Sequence, residues 1–412
     1  MKNPFLPFLV LLALAGPLPA ASFTEDEAVM HALRHNADLA AARLAIQQAA
    51  GRVTQAGRLA NPELESEFKP NVRGGEGVLA FGLMQRFPLT ARLRLEREAS
   101  RAELAVAEAE VRDAERRVAG EVALAAVNWL ALDAQRMLKE RQLANSRELA
   151  AVAARVAGRG EGSGIEAVQF ELEAQQLAAQ VVELDADRAG LVGELRPLLG
   201  VPVAEAIEIT GALPEFAATG AAEVQLAARP DYRAALARRE AAERTMALAR
   251  ANRWQDIGVG LIGELDRSDD HPVGVQQDNF VGLRLSLPLP LWNRNEGRIA
   301  EAEATAQRAE RESEALAFRI RSEVEAAQLQ MLAAARLDRE VGTTLLPRTT
   351  QLEERLEKLR AEGQATLMEV LRAREQRFRI ESTRLDARRN FHRARVRLDT
   401  ATGMILPHVQ LP

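Results

Sequence analysis

This sequence predicts a mainly helical fold with a small β part, laid out as two copies of one plan. Three observations predict it: strands that run through a proline corner into polar helices, heptad seams on segments too long for a compact domain, and an internal match between the two halves. The first corner is VLAFGLMQRFPLTARLRLEREASRAEL, residues 78–104, and the second is LSLPLPLWNRNEGRIAEAEA, residues 285–304. Residues 35–64 align without gaps on residues 228–257, so Asp38 meets Asp231 at a spacing of 193. Pro88 pairs with Pro288 at 200, which leaves a slightly longer loop between the strands of the second copy. A period this long marks a duplicated half-molecule and not a solenoid of short units.

Taken in order, residues 1–22 read as a secretory signal peptide: Lys2, an apolar run over 5–15, then Ala20, Ala21 and Ser22, with the mature chain starting near Phe23. The apolar run is shorter than the ~20 residues that a helix needs to span a bilayer. Every later apolar run is interrupted by Arg, Glu or Asp, so any membrane crossing by this chain has to be a β-barrel. The first repeat, 23–200, reads as a helix over 24–59, strands around Leu64, Ser66, Phe68 and Leu79, Phe81, Leu83, a long helix over 91–157, and a further helix from near Ile165. At 1.5 Å per residue that long helix extends about 100 Å.

Leu104, Val111, Val118, Ala125 and Leu132 recur every seven residues, as do Leu177, Leu184, Leu191 and Leu198, which makes apolar seams for coiled-coil packing. Alanine recurs where a soluble core prefers larger side chains, which lets helix backbones approach closely around a curved wall. The helices starting near Thr24 and Ile165 are each about half as long as the long one. A linker over 201–225 leads to the second repeat, 226–403, with strands around Ile257, Val259, Leu261 and Val281, Leu283, Leu285, Leu287, and a tail over 404–412. One face of each strand is apolar, as a lipid-facing band requires. Trp254 and Trp292 flank the second strand pair at its helix-side end, the place of an interfacial aromatic, although such residues also serve as plain packing.

Four strands cannot close a barrel, because the smallest single-chain outer-membrane barrels have about eight and open edges are not tolerated in lipid. The chain therefore has to pool strands with copies of itself. Three copies supply twelve strands and a ring of helical hairpins.

Other signals exclude functions. The absence of cysteine removes a disulfide framework, a thiolate metal site and an acylated N-terminal Cys. A formal net charge of -5 with interspersed signs gives nucleic acid no partner surface. No Ser-His-Asp set, paired-carboxylate cleft or P-loop emerges, so neither an enzyme nor a cofactor is expected. Gly258, Gly260 and Gly263 spell a dinucleotide fingerprint, but inside a strand, where glycines relieve crowding and no helix N-terminus follows to hold a phosphate. Asp266, Asp269, Asp270 and His271 read as a solvated hairpin loop with no His or Cys pair at ligand spacing. His31 and His35 share a helix face without a third ligand and read as surface residues. The last helix carries Arg372, Arg374, Arg377, Arg379, Arg384, Arg388 and Arg389 with Glu375, Glu381 and Asp386 between them, a solvated or tunnel-lining face.

The repeat, the proline corners and the paired long helices resemble the TolC-type outer-membrane efflux family over nearly the whole mature chain. LPLPLWNRNEGRIAEA, residues 287–302, is particularly similar to its heavy-metal, CzcC-like branch. The resemblance implies a homotrimer, with a twelve-stranded β-barrel in outer-membrane lipid and a periplasmic α-barrel. It also implies a periplasmic adaptor and an inner-membrane resistance-nodulation-division pump as partners, with divalent cobalt, zinc or cadmium as cargo. Drug or protein export through the same architecture is the alternative. From another class, a periplasmic coiled-coil adaptor would share the signal peptide and the heptads.

The family's tip motif falls on residues 362–373. There Gly363 makes the turn, Glu369 stands for the motif's Asp at the aperture, and Arg372 departs from it. Leu367 and Val370 lie in the same motif. In the first copy Gly162, Ile165 and Val168 are equivalent, and Ala167 replaces the acid. An exposed Glu369–Arg372 pair at (i, i+3) is the plainer alternative for those two charges. The barrel–helix junction falls on Pro88, Pro288, Pro290, Trp292, Asn293 and Gly297.

Overall fold

The computed structural model describes residues 21–72, 76–160, 164–214, 225–270, 272 and 274–404. The chain divides into two compact units that cut across the repeats: one of residues 1–40, 115–224 and 322–412, the other of residues 41–114 and 225–321. Among the described residues no helix is long and apolar enough to cross a membrane.

The first unit is helical. Its N-terminal strand β1 (Ala21–Phe23) pairs in parallel with β4 (Ile207–Ile209), so Ala21 and Ser22 sit in a strand. Helix α1 (Glu25–His35) begins on a capping box between Thr24 and Glu27. The sequence predicts one helix over 24–59, but the structure breaks it at Asn36 into α1 and α2 (Ala37–Gln55). Asn36 Oδ1 accepts the Leu39 N–H at 2.9 Å and its amide donates to the Leu198 carbonyl at 3.1 Å. The buried side chain thus caps α2 while satisfying the end of α4 (Gly164–Leu199), a tertiary contact that overrides helical periodicity.

Helix α3 (Arg92–Gly158) runs 67 residues without interruption. Its middle buries Trp129, 1% exposed, with Val122, Ala126, Leu195 and Leu199 against Ile207 and Ile209. A second core joins Val324, Ala327 and Met331 of α6 (Glu296–Glu340) to Phe391, Ala394 and Leu398 of α8 (Leu367–Thr402). A π turn over Val341–Leu345 separates α6 from α7 (Leu346–Ala361).

The second unit holds α5 (Pro230–Ala251) and an antiparallel sheet of β2 (Glu63–Pro70), β3 (Gly77–Phe87), β5 (Ile257–Asp270) and β6 (Gly274–Ser286), in that order. Register aligns Leu64, Leu83, Leu261 and Leu283 in one row. All four are exposed, so the sheet presents an apolar face that the described residues leave uncovered. On the opposite, mixed face Arg284 of β6 reaches Glu65 of β2 at 2.5 Å. Gly258 and Gly260 leave room for Met84, whose sulfur lies 3.0 and 3.2 Å from where their Cβ atoms would be.

One sequence expectation is corrected here. Asp266, Asp269 and Asp270 belong to β5 and not to a hairpin loop, since pairing continues through Asp266 opposite Asp278 to Asp270 opposite Gly274. Backbone hydrogen bonds carry the ladder whatever the side chains, so a polar stretch conceals a strand end. His271 lies outside the described residues.

Candidate functional site: hairpin tips and barrel–helix junction

The second hairpin turns at Gly363, whose φ of 75° is the left-handed geometry that glycine adopts without cost. Gly160, at the end of α3 in the first copy, has φ 76° as well. The Gly363 N–H donates to the Arg360 carbonyl and the Gln364 N–H to the Leu359 carbonyl, closing the end of α7. Helix α8 then starts on a second capping box: the Thr366 N–H and hydroxyl donate to Glu369 at 2.8 and 3.0 Å, and the Glu369 N–H returns to the hydroxyl. Those bonds, the backbone one first, hold the Glu369 carboxyl below its ordinary range.

Arg372 does not close on Glu369. Its guanidinium lies 3.6 Å from Glu166 of α4 and over the Phe170 ring, so in place of the alternative (i, i+3) pair there is a bridge between hairpins. Leu367 packs with Phe170 on Leu149, Val152 and Leu371. Val370 is only 1% exposed, so it is a packing residue beneath the turn. Ile165 and Val168, by contrast, stand open on α4 at 69% and 65% exposure. Gly162 lies outside the described residues.

The arginines of α8 are less solvated than their sequence suggests. Arg374 and Arg377 converge on the nearly buried Glu353 of α7 at 3.0 and 3.2 Å, and Arg374 also reaches Glu357. Farther along, Arg384 and Arg388 converge on Asp338 at 3.1 and 3.3 Å. Neither acid stood out in the sequence. Both occupy apolar-seam positions of the preceding helix, and a charge on a seam is the signal that would have found them.

At the junction, Thr90 donates to the Ala251 carbonyl and Arg92 grips Asp256 through two bonds of 3.2 and 2.7 Å. Pro88 and Pro290 are half-buried, whereas Trp292 is 94% exposed. Asn293 accepts the Asn295 N–H at 3.1 Å, and Asn295, at φ 63°, ties the start of α6 to the Ala249 carbonyl. Pro288, Asn293 and Gly297 line an open cleft of about 730 Å³.

Residues 222–404 match the family model described as Outer membrane efflux protein. The fold matches a crystal structure of CusC (TM-score 0.73, 19% identity, 94% of this chain and 97% of that one), whose description concerns transmembrane channel formation. It also matches the outer membrane protein VceC of Vibrio cholerae (TM-score 0.73, 20% identity, 92% and 96%) and the MtrE outer membrane channel of Neisseria gonorrhoeae in its open state (TM-score 0.71, 17% identity, 92% and 88%). No curated protein matches. The chain has the outer membrane efflux fold. Its second repeat also carries that family's sequence, and the match includes α6 to α8 with the second tip.

Proposed function

We propose that this chain is one subunit of a trimeric outer-membrane efflux channel, a passive conduit rather than an enzyme, fed by a periplasmic adaptor and an inner-membrane pump. One observation carries the reading: a four-stranded sheet has an uncovered apolar face and outer strands, β2 and β6, that each pair on one side only among the described residues. An exposed edge cannot face hydrocarbon. Three copies joined β6 to β2 remove every edge and set the leucine row toward lipid. A periplasmic adaptor has no use for such a sheet.

In this reading the exposed Ile165 and Val168, with Leu367 near the second tip, form the adaptor's docking surface. Arg372 and Glu369 border the aperture, with Val370 as their support. The cargo is divalent heavy-metal cations, a choice supported by the likeness of residues 287–302 to the CzcC-like branch. Deletion of the gene tests it. Sensitivity to cobalt, zinc or cadmium is expected, with the protein in the outer-membrane fraction and released only by detergent. Sensitivity to hydrophobic drugs alone moves the cargo to multidrug export, and release by mild salt rejects the channel.

A further inference from the structure

Near the tips, α4 and α8 meet along one seam that α3 holds from the side. Arg372 of α8 bridges to Glu166 of α4, and Phe170 of α4 packs with Leu367 and Leu371 of α8. The buried Asn145 and Ser146 of α3 donate to the Leu371 and Phe170 carbonyls at 3.2 and 3.4 Å, so both helices are fixed at this level. About one helical turn farther from the tips, the Glu173 carboxyl of α4 meets the Glu375 carboxyl of α8 in a hydrogen bond. Two carboxylates have no donor between them, so that bond exists only while one of the two carries a proton.

The cations around the pair are committed elsewhere or to one member only. Arg379 of α8 bears on both acids but forms its ion pair with Glu375, which makes Glu375 the ionised member and Glu173 the protonated one. Arg372 is held by Glu166, Arg374 by Glu353, Glu357 and Glu148 of α3, and Arg377 by Glu353 and Glu381. Arg147 of α3 lines a groove with Glu171, which is two positions from Glu173 and so faces elsewhere. Burial first, and the Glu375 charge second, push the Glu173 carboxyl above the ordinary glutamate range. We propose that Glu173 and Glu375 form a proton-operated catch between the two hairpins, closed while the pair shares a proton and released when two like charges face each other across the seam. Because the Glu173 value is raised in the folded chain, the stabilisation is complete below the ordinary carboxylate range and is lost as pH rises through the raised value. In the channel reading these hairpins border the aperture, so their approach answers to periplasmic pH; the catch itself rests on the two carboxyls alone.

Amide hydrogen exchange of the full chain in detergent tests it, with labelling times scaled to the intrinsic exchange rate at each pH. Protection of α4 and α8 around Glu173 and Glu375 is expected to fall roughly tenfold as pH rises through the pair's titration, the worth of about one hydrogen bond, while α3 around Trp129 keeps its protection. In Glu173→Gln the side-chain amide donates to the Glu375 carboxylate at every pH, so protection should stay high throughout, and Glu375→Gln supplies the same donor from the other side. Protection in the parent that does not change with pH, or that falls equally in both variants, overturns the catch. A monomer with the expected response refutes the channel and keeps the catch, whereas a trimer without it does the reverse.

Discussion

The long helix of the first repeat and its counterpart in the second obey the same heptad logic but answer it differently. Helix α3 stays α-helical for 67 residues, while α6 and α7 are parted by the π turn at Val341–Leu345. Along α6 the inward positions Ile320, Val324, Ala327, Met331, Ala334, Asp338 and Val341 alternate steps of four and three. Past the half-buried Gly342 and Thr344 of the turn, Leu346 lies five residues from Val341, and from there Thr349 and Glu353 resume threes and fours. One residue has been inserted, and the π turn absorbs it so that the seam continues on the same face.

The chemistry around the insertion explains why it is tolerated there. Pro347 has no N–H to donate, and the Thr349 and Thr350 hydroxyls bond the Leu346 carbonyl at 2.9 and 3.0 Å. A Cβ on Gly342 would lie 3.0 Å from the Arg384 guanidinium, so glycine lets that arginine cross the turn toward Asp338. Around Trp129, α3 is bound by an apolar cluster that includes Val122, Ala126, Leu195 and Leu199.

The difference can be broken by deletion. Removing Ala131 from α3 rotates everything beyond it by about 100° relative to the seam, and loss of the folded trimer in detergent is expected. Removing Thr344 only returns the π turn to α-helix, and near-normal yield and melting temperature are expected; equal damage from both deletions would show that the turn absorbs nothing. Next in size, Trp129→Ala should destabilise the first-repeat core by about 3–5 kcal/mol in denaturant unfolding. A loss below 1 kcal/mol, of the order expected for a surface change, would remove Trp129 as its anchor.

Asp338→Ala leaves Arg384 and Arg388 facing a lost acceptor. Because those arginines remain partly solvated, the expected cost is smaller, about 1–3 kcal/mol, and Asp338→Asn should recover part of it. No change in melting temperature would dismiss the latch. Thr366→Ala removes the cap of α8, with a cost on the order of 1 kcal/mol at neutral pH. The Glu369 pKa is depressed in the folded state, so its share of stability is present above the ordinary carboxylate range and is lost as pH falls through the depressed value. The gap between Thr366→Ala and the parent should therefore narrow in acid, and a gap independent of pH would separate Glu369 from the cap.

Much of this architecture was legible. Period-two alternation located all four strands of the sheet, heptads located α3 and α4, and Gly363 marked the second tip because a turn there needs positive φ. What escaped depended on partners distant in sequence or on patterns left unread. Asn36 reads as an ordinary helical position until the Pro197 and Leu198 carbonyls are placed beside it. Thr366 and Glu369 spell a capping box, a signal available from sequence alone, yet the resemblance drew Glu369 toward an aperture role and left its local bond unnoticed. Pro347 lies just past the π turn, but the five-residue step is visible only from burial, because Leu345 continues the apolar spacing of four from Val341 in the sequence. The arginines of α8 could not be assigned without α7 beside them, since their acids lie 21 and 46 residues away.

The account depends most on sheet edges closed by copies of the same chain. Native mass spectrometry of the detergent-extracted protein measures that directly. Three chains per particle is the result expected, retained when the adaptor and pump are absent; a particle of one chain, folded and stable, contradicts it.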